Sequence, residues 1–412
     1  MKDYKGWKFK GKELSYIREV LSSDFKANSS GTMNERLEIK FAKIHNQRYA
    51  VTANSGTSTL HMALNAFGVG HGDEVIIPGL TVAMCGYAVW QCGAVPVFAD
   101  IKKDTFLIDP EDIQRKITKK TKAIMVVHLY GLMCNMTEIM KIAKKNKLFV
   151  LEDCAQCFFA KDEKKRIAGT IGDVGSWSFE NSKHITTGDG GIVTTNNKIL
   201  AKKMREFSCA GFRNVTASSG KVRIDRNKFQ DPNWKRHNTL AYNYRLPEVA
   251  AAIGLAQIER KEFFLSKRIL MGKKFKEIVK SSKCDILINQ FIPKKYTHSY
   301  YTFPCKFNGK KYGISWQEFR KKFIFFGGDG IYSAWQTVNN EPAFKRAKEK
   351  GLYSGSMKIS NSYGWGEVKT GEKIQKVLMQ FTTNQRNLSE MKKQEIAFKK
   401  VLNYYRKKLN LT

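Results

Sequence analysis

Four short stretches hold residue types that could do chemistry together. The first is Asn54-Ser55-Gly56-Thr57, where an apolar run ends, a small polar turn follows and a helical pattern begins. The free N–H groups at a helix start carry partial positive charge and suit a phosphate. Gly56 would let the backbone approach that phosphate closely. A plain helix cap by Ser55 or Thr57 explains the same residues. The second stretch is Val150-Leu151-Glu152-Asp153-Cys154-Ala155-Gln156, an acidic pair at the carboxyl end of an apolar run. Asp153 could set a carboxylate against a protonated ring nitrogen, or it could cap a following helix. If that helix exists, Gln156 lies about one turn on and faces the same side. The third runs from Ser178 through Lys183 and His184 to Gly188, Gly190 and Gly191. A lysine in such a frame of small residues could form a Schiff base with an aldehyde cofactor, provided it is deprotonated part of the time. Ser178 could donate to a phosphate. The fourth, Tyr242-Asn243-Tyr244-Arg245-Leu246-Pro247-Glu248, offers Asn243 and Arg245 to an anion, or is a helix-entry loop with Pro247 near the first turn. An amine, a carboxylate and an anion cradle are what pyridoxal phosphate requires, because the carboxylate keeps the cofactor ring protonated as an electron sink.

These stretches need elements to position them. Residues 11–50 read as mostly helical, with Thr32-Met33-Asn34-Glu35 at capping-box spacing. Short apolar runs at 48–54, 73–78, 95–100, 123–129, 148–152, 176–179 and 191–195 then read as strands. Helical patterns at 58–67, 81–91 and 137–146 alternate with them, the first closed by Gly68. Such alternation predicts an α/β domain with a mainly parallel sheet between helices. Chemistry in such sheets gathers at the carboxyl ends of strands. That rule points at Ser55, Thr81, Asp153 and Ser178 with Lys183. Residues 214–238 are polar and read as a long surface loop, and 247–260 as an Ala-rich helix. A long helix after about 265, a strand at 300–307 and helices at 316–323 and 390–409 predict a smaller α+β portion. The expected division is 1–265, the N-terminal helices and large domain, and 266–412, the smaller C-terminal domain.

A chain of 412 residues fits two domains. With 42% apolar and 26% charged residues it has a folded composition. The net charge of +35 suits nucleic acid, an anionic surface or an anionic substrate. The excess is mostly lysine, spread from Lys2 to Lys408 without an arginine-rich block. No aromatic-basic RNA motif, zinc-finger spacing or clear helix-turn-helix accompanies it, so it reads as a lysine-biased surface and no nucleic-acid partner is expected. The eight cysteines are too sparse for a disulfide framework. Cys154-Ala155-Gln156-Cys157 is a CxxC with neither a second pair nor a thioredoxin-like frame, and no metal site is expected. Residues 1–7 contain no apolar leader core, and no run approaches the roughly 18 residues of a membrane span. A cytoplasmic location without membrane contact is the expectation.

In this order and at these spacings, the motifs resemble the DegT/DnrJ/StrS family of sugar aminotransferases over roughly residues 30–265. The family pattern S-G-T is present at Ser55-Gly56-Thr57 and P-x-x-T at Pro78 to Thr81. E-D-x-A-Q/H falls at Glu152 to Gln156, S-F-x-x-x-K-x-x-x-x-G-x-G-G at Ser178 to Gly191, and N-x-R at Asn243 to Arg245. The resemblance implies a fold-type I pyridoxal 5'-phosphate transferase, a homodimer with a shared active site. It implies that Lys183 is the Schiff-base and proton-shuttling lysine, that Asp153 pairs with the pyridine nitrogen and that Gln156 supports the ring hydroxyl. Ser55, Gly56 and Thr57 with Ser178 would hold the phosphate, Thr81 would line the pocket, and Asn243 would reach the neighbouring subunit's cofactor. The implied activity moves an amino group from an amino acid, glutamate by resemblance, to a keto sugar. That sugar is expected to be nucleotide-linked and to serve surface-polysaccharide or related synthesis. Two departures stand out. Val82 occupies a position where many members place a ring-stacking aromatic, and the segment 327–335 has no close family counterpart. Relatives with histidine in place of the lysine act as sugar dehydratases, and here Lys183 and His184 are adjacent. Lys183 lies five residues after Ser178, as the motif requires, and His184 six. The dehydratase, an aminotransferase for a cyclitol or small phosphorylated ketone, and a non-catalytic regulatory or nucleic-acid-binding protein of the same fold are the alternatives.

Overall fold

The structure, a computed structural model, describes residues 6–27, 31–220, 224–350 and 366–410. Residues 1–5 of the N-terminal segment and 221–223 of the polar stretch lie outside the described residues. Helices α1 (Glu13–Ser22) and α2 (Met33–Ile44) come first. The capping box at α2 forms as its spacing predicts. The Glu35 N–H donates to the Thr32 hydroxyl at 3.2 Å, and the Thr32 N–H donates to the Glu35 carboxylate at 3.0 Å.

The large sheet is built from β1 (Tyr49–Ala53), β2 (Glu74–Pro78), β3 (Val95–Ala99), β4 (Thr121–Val127), β5 (Phe149–Asp153), β6 (Val174–Ser178) and β7 (Gly191–Thr195). Their order is β1-β7-β6-β5-β4-β2-β3. The paired strands from β3 to β6 are parallel, and β7 runs antiparallel to both of its neighbours. Every residue of β2, β3, β6 and β7 is buried, which is why these strands read as continuous rather than alternating apolar runs. Around the sheet lie α3 (Gly56–Ala66), α4 (Ala83–Gln91), α5 (Pro110–Lys116), α6 (Met136–Asn146) and α7 (Lys198–Ser208). Gly68 closes α3 with φ at +75°. Its N–H and that of Val69 return to the carbonyls of Asn65 and Leu64, so the predicted glycine stop is a Schellman cap.

The stretch 214–238 is not wholly a loop. Asp225 accepts from the N–H groups of Asn227 and Lys228 and starts the short helix α8 (Arg226–Gln230). Helices α9 (Glu248–Glu259) and α10 (Lys261–Ser281) follow. A second, fully antiparallel sheet has the order β10-β11-β9-β8, from β8 (Leu287–Asn289), β9 (Thr302–Phe307), β10 (Ile331–Ser333) and β11 (Leu378–Thr382). Helices α11 (Trp316–Phe325) and α14 (Leu388–Lys408) pack with it, while α12 (Pro342–Lys350) and α13 (Lys369–Gln375) turn buried residues toward the large sheet's core. Two hydrophobic cores result. One surrounds the large sheet and also takes in Ala334, Val338, Phe344 and Val368. The other, under the small sheet, runs from Met271 on α10 to Tyr405 on α14. No helix among the described residues is long and apolar enough to cross a membrane.

Candidate active site

The carboxyl ends of β1, β2, β4, β5 and β6 meet at one edge of the large sheet. At β1 the chain turns directly into α3. Ser55 caps that helix, accepting from the Ser58 N–H at 3.0 Å. Gly56 is pressed against β6. A Cβ at Gly56 would stand 2.7 Å from the Ser178 Cβ, so only glycine fits. The hydroxyls of Thr59 and Ser176 share a hydrogen bond of 2.7 Å that pins the helix to the strand. Ser55, Gly56 and half-buried Thr57 are thereby held beside Ser178, whose Oγ accepts from the Glu180 N–H at 3.2 Å.

Strand β5 ends on Asp153, which is 3% exposed. The turn after it differs from the helix that the pattern allowed. Asp153 Oδ1 accepts from the Ala155 N–H at 2.9 Å, and the Cys157 N–H donates to the Cys154 carbonyl at 2.9 Å. This local side-chain bond competes with helical pairing and wins. Gln156 still lies at the cleft, held by the Tyr130 N–H, which donates to its Oε1 at 2.9 Å. The Cys85 thiol on α4 donates to Asp153 Oδ2 at 3.4 Å, and Thr81 Oγ1 is 3.6 Å from the same sulfur. Burial raises the Asp153 carboxyl above its ordinary value, while the Ala155 amide, the Cys85 thiol and the Lys183 charge pull it back part of the way.

Behind Asp153, Glu152 accepts from the N–H groups of Gly169, Ile171 and Gly172 at 2.9, 2.6 and 2.6 Å, and from His128 Nε2 at 2.9 Å. His128 Nδ1 accepts from the Cys134 N–H at 3.1 Å, which places the ring proton on Nε2. Cys154 completes a buried group with His128 and Glu152. The carboxylate oxygens of that group are already engaged inside the protein, so it acts as a rigid backing for Asp153. Cys154 and Cys157 are both buried free thiols.

Lys183 follows β6 and is 9% exposed. Its Nζ lies 4.8 Å from the centre of the Tyr301 ring. The Tyr301 hydroxyl shares a hydrogen bond of 2.7 Å with Ser182, whose hydroxyl donates to Glu180 at 2.5 Å. Arg268 on α10 clamps this loop. It donates to the carbonyls of Tyr301 at 2.7 Å, Ser182 at 2.8 Å and Lys183 at 3.4 Å, and to the Thr383 hydroxyl at 3.4 Å. Burial lowers its guanidinium to about 10. His184 is turned into the core instead. Its Nε2 meets the Ser299 carbonyl at 3.0 Å and its ring packs on Phe158. Burial, then the Arg268 charge, lower its imidazole well below the usual value, so it stays neutral.

A cleft of about 400 Å³ opens beside these residues, with Thr81, Val82, Tyr130, Gln156, Tyr332 and Trp335 in its wall. The unfamiliar segment 327–335 thus contributes two exposed aromatics, Tyr332 at 60% and Trp335 at 53%. Asn243 and Arg245 are exposed and do not line this cleft within one chain. Their segment abuts the α3 turn, where the Asn54 N–H donates to the Tyr244 carbonyl at 2.8 Å. Sequence reasoning missed Cys85, Tyr301 and Arg268. One signal was available for Arg268, a charged residue inside the buried stripe Phe264, Leu265, Met271, Gly272 and Phe275 of α10.

Comparison with known proteins agrees with this geometry. The profile described as the DegT/DnrJ/EryC1/StrS aminotransferase family matches residues 8–361. GDP-perosamine synthase of Escherichia coli O157:H7 is 40% identical over 271 residues, which is 66% of this chain and 69% of that protein. The GDP-perosamine synthase of Vibrio cholerae is 37% identical over 250 residues, 61% of this chain and 63% of its own length. The matched part therefore spans about two thirds of these curated relatives. An aminotransferase from Psychrobacter cryohalolentis, known from its X-ray structure, is 26% identical with a TM-score of 0.80, covering 95% of this chain and 96% of that one. The profile match over most of its length places this chain in the DegT/DnrJ/EryC1/StrS aminotransferase family.

Proposed function

We propose that this chain is a pyridoxal-phosphate-dependent aminotransferase that moves an amino group from glutamate to a nucleotide-linked keto sugar. One observation carries the reading. Asp153 is buried beside the cleft with the Lys183 charge acting on it, yet among the described residues it has no ion-pair partner within salt-bridge distance. A buried carboxylate is costly without a cation, and a protonated pyridine nitrogen is the cation that would complete it. The rest of the cradle fits the same group. The start of α3 with Ser55, Gly56 and Thr57, beside Ser178, suits its phosphate. Thr81 and Gln156 would hold the ring, and Lys183 would be the amine for its aldehyde. Bound there, the cofactor supplies an electron sink for the carbon that gains or loses nitrogen. Asp153 holds a proton at the ring nitrogen. Lys183 Nζ would take a proton from the substrate carbon in one half-reaction and give one back in the other. Arg268 and Tyr301 keep that amine in place.

The two relatives named for GDP-perosamine support a GDP-linked acceptor, and a Bacillus subtilis relative named for spore coat polysaccharide biosynthesis supports a role in polysaccharide synthesis. A cytoplasmic homodimer, with Asn243 completing the partner's site, accords with the exposure of Asn243. A division near residue 265 is supported by the second core, which starts at Met271, although residues 334–347 and 368–378 contribute back to the first.

The test is spectroscopic. Purified protein should be yellow, and glutamate should bleach the visible band. Lys183→Ala should abolish that band and His184→Ala should keep it. Product masses from a panel of keto sugars linked to GDP and other nucleotides then identify the acceptor. Turnover by Lys183→Ala, with loss in His184→Ala, would hand the site to the dehydratase reading.

A further inference from the structure

The Asp153 carboxylate is held by two unequal donors. Oδ1 has a backbone amide, that of Ala155, at 2.9 Å. Among the described residues, Oδ2 has only the Cys85 thiol, at 3.4 Å. Cys85 is fully buried in the first turn of α4, a helix seated tightly on its neighbours. A Cβ at Gly86 would stand 2.4 Å from Phe344, so α4 cannot slide there. Thr81 Oγ1 lies on the other side of the sulfur, at 3.6 Å. Thr81, Cys85 and Asp153 therefore form a short polar chain from the cleft wall to the carboxylate. We propose that Cys85 is a positioning residue that orients Asp153 toward a cationic ring ligand while leaving its Oδ2 basic. The inference rests on the pyridoxal-phosphate reading above.

The chemistry of sulfur makes the choice informative. A thiol is a weak donor, so it fixes the direction of Oδ2 without drawing much of its charge. A hydroxyl would bind closer and draw more. Burial and the neighbouring Asp153 charge both raise the Cys85 thiol, so its hydrogen stays in place as a donor through neutral pH. Substitution by alanine leaves Oδ2 free to turn.

Cofactor affinity provides the test, read by fluorescence titration of the apoenzyme with pyridoxal phosphate, together with the visible spectrum from pH 6 to 9. Thermal melts of each apoenzyme check folding. Cys85→Ala should weaken binding about tenfold, the scale of one hydrogen bond to a charged group, and shift the balance of visible bands. Cys85→Ser should recover part of the affinity, because it restores a donor but one that draws more charge from Oδ2. The decisive comparison is a double-mutant cycle with Asp153→Asn. If Cys85 acts through Asp153, Cys85→Ala adds nothing in the Asp153→Asn background. An equal tenfold loss in both backgrounds, or Cys85 variants that match the wild type, overturns the proposal and leaves the functional reading standing. A wild-type chain that takes up no pyridoxal phosphate overturns both.

Discussion

Arg268 shows how one side chain can govern another that it does not chemically assist. All four of its terminal N–H directions are used on the Tyr301, Ser182 and Lys183 carbonyls and the Thr383 hydroxyl. Arg268→Met removes these donors and leaves the Ser182 and Lys183 carbonyls without them, at a cost of about 1–3 kcal/mol each, whereas the Tyr301 carbonyl keeps the Thr383 hydroxyl at 3.1 Å. We expect a loss of several kcal/mol in urea denaturation and slower cofactor capture. Arg268→Lys should recover little, because a single ammonium cannot span the fork. Lys183, Asp153, Ser178 and Gly56 were legible in the sequence because each lies within a few residues of a strand end, and spacing along the chain reports that. Cys85, Tyr301 and Arg268 were not, because they arrive from α4, β9's approach and α10, and only folding brings them near. Lys183 and His184 differ in the sequence only by register, and folding turns His184 toward the Ser299 carbonyl while Lys183 Nζ lies over Tyr301.

Between elements, the contact of α10 with α14 turns on one acid. Glu395 accepts from Lys399 at 2.9 Å and from Lys274 at 3.1 Å, and these partners, Lys399 foremost, draw its carboxyl down to about 2. The folded value lies below the unfolded one of about 4.3. Its stabilising contribution is therefore complete above the unfolded value and is lost as pH falls through the folded one. Urea midpoints should fall between pH 5 and pH 2, and Glu395→Gln should flatten part of that fall. If the variant and the wild type lose stability in parallel, the pair has no such role. Most strands and helices were legible because fully buried strands leave unbroken apolar runs. The turn after Asp153 was not, since its helix-like spacing is overridden by one side-chain bond to Ala155. The direction of β7 was equally hidden, because an apolar run has no polarity.

For the whole molecule, the α/β architecture and the small C-terminal sheet were legible from alternation and its end. The return of residues 334–347 and 368–378 to the first core was not, because long-range packing leaves no local period. Asn243, exposed in one chain, sets the last expectation. Lys183→Ala and Asn243→Ala, each weak alone, should restore about a quarter of wild-type activity when refolded together at equal amounts, because mixed dimers carry one intact site in two. No recovery would sink the shared-site reading. The reversed strand β7 has a further effect. A parallel β7 would require the chain to cross the whole sheet between Ser178 and Gly191, as a helix normally does. Reversal lets it return at once, so Lys183 rides a short tether fixed at both ends by the sheet's own ladder. Closing so short a loop costs little entropy, and that cost is met when the protein folds. On the proposed function, the amine would meet each new substrate already in place, with no loop to order on every turnover.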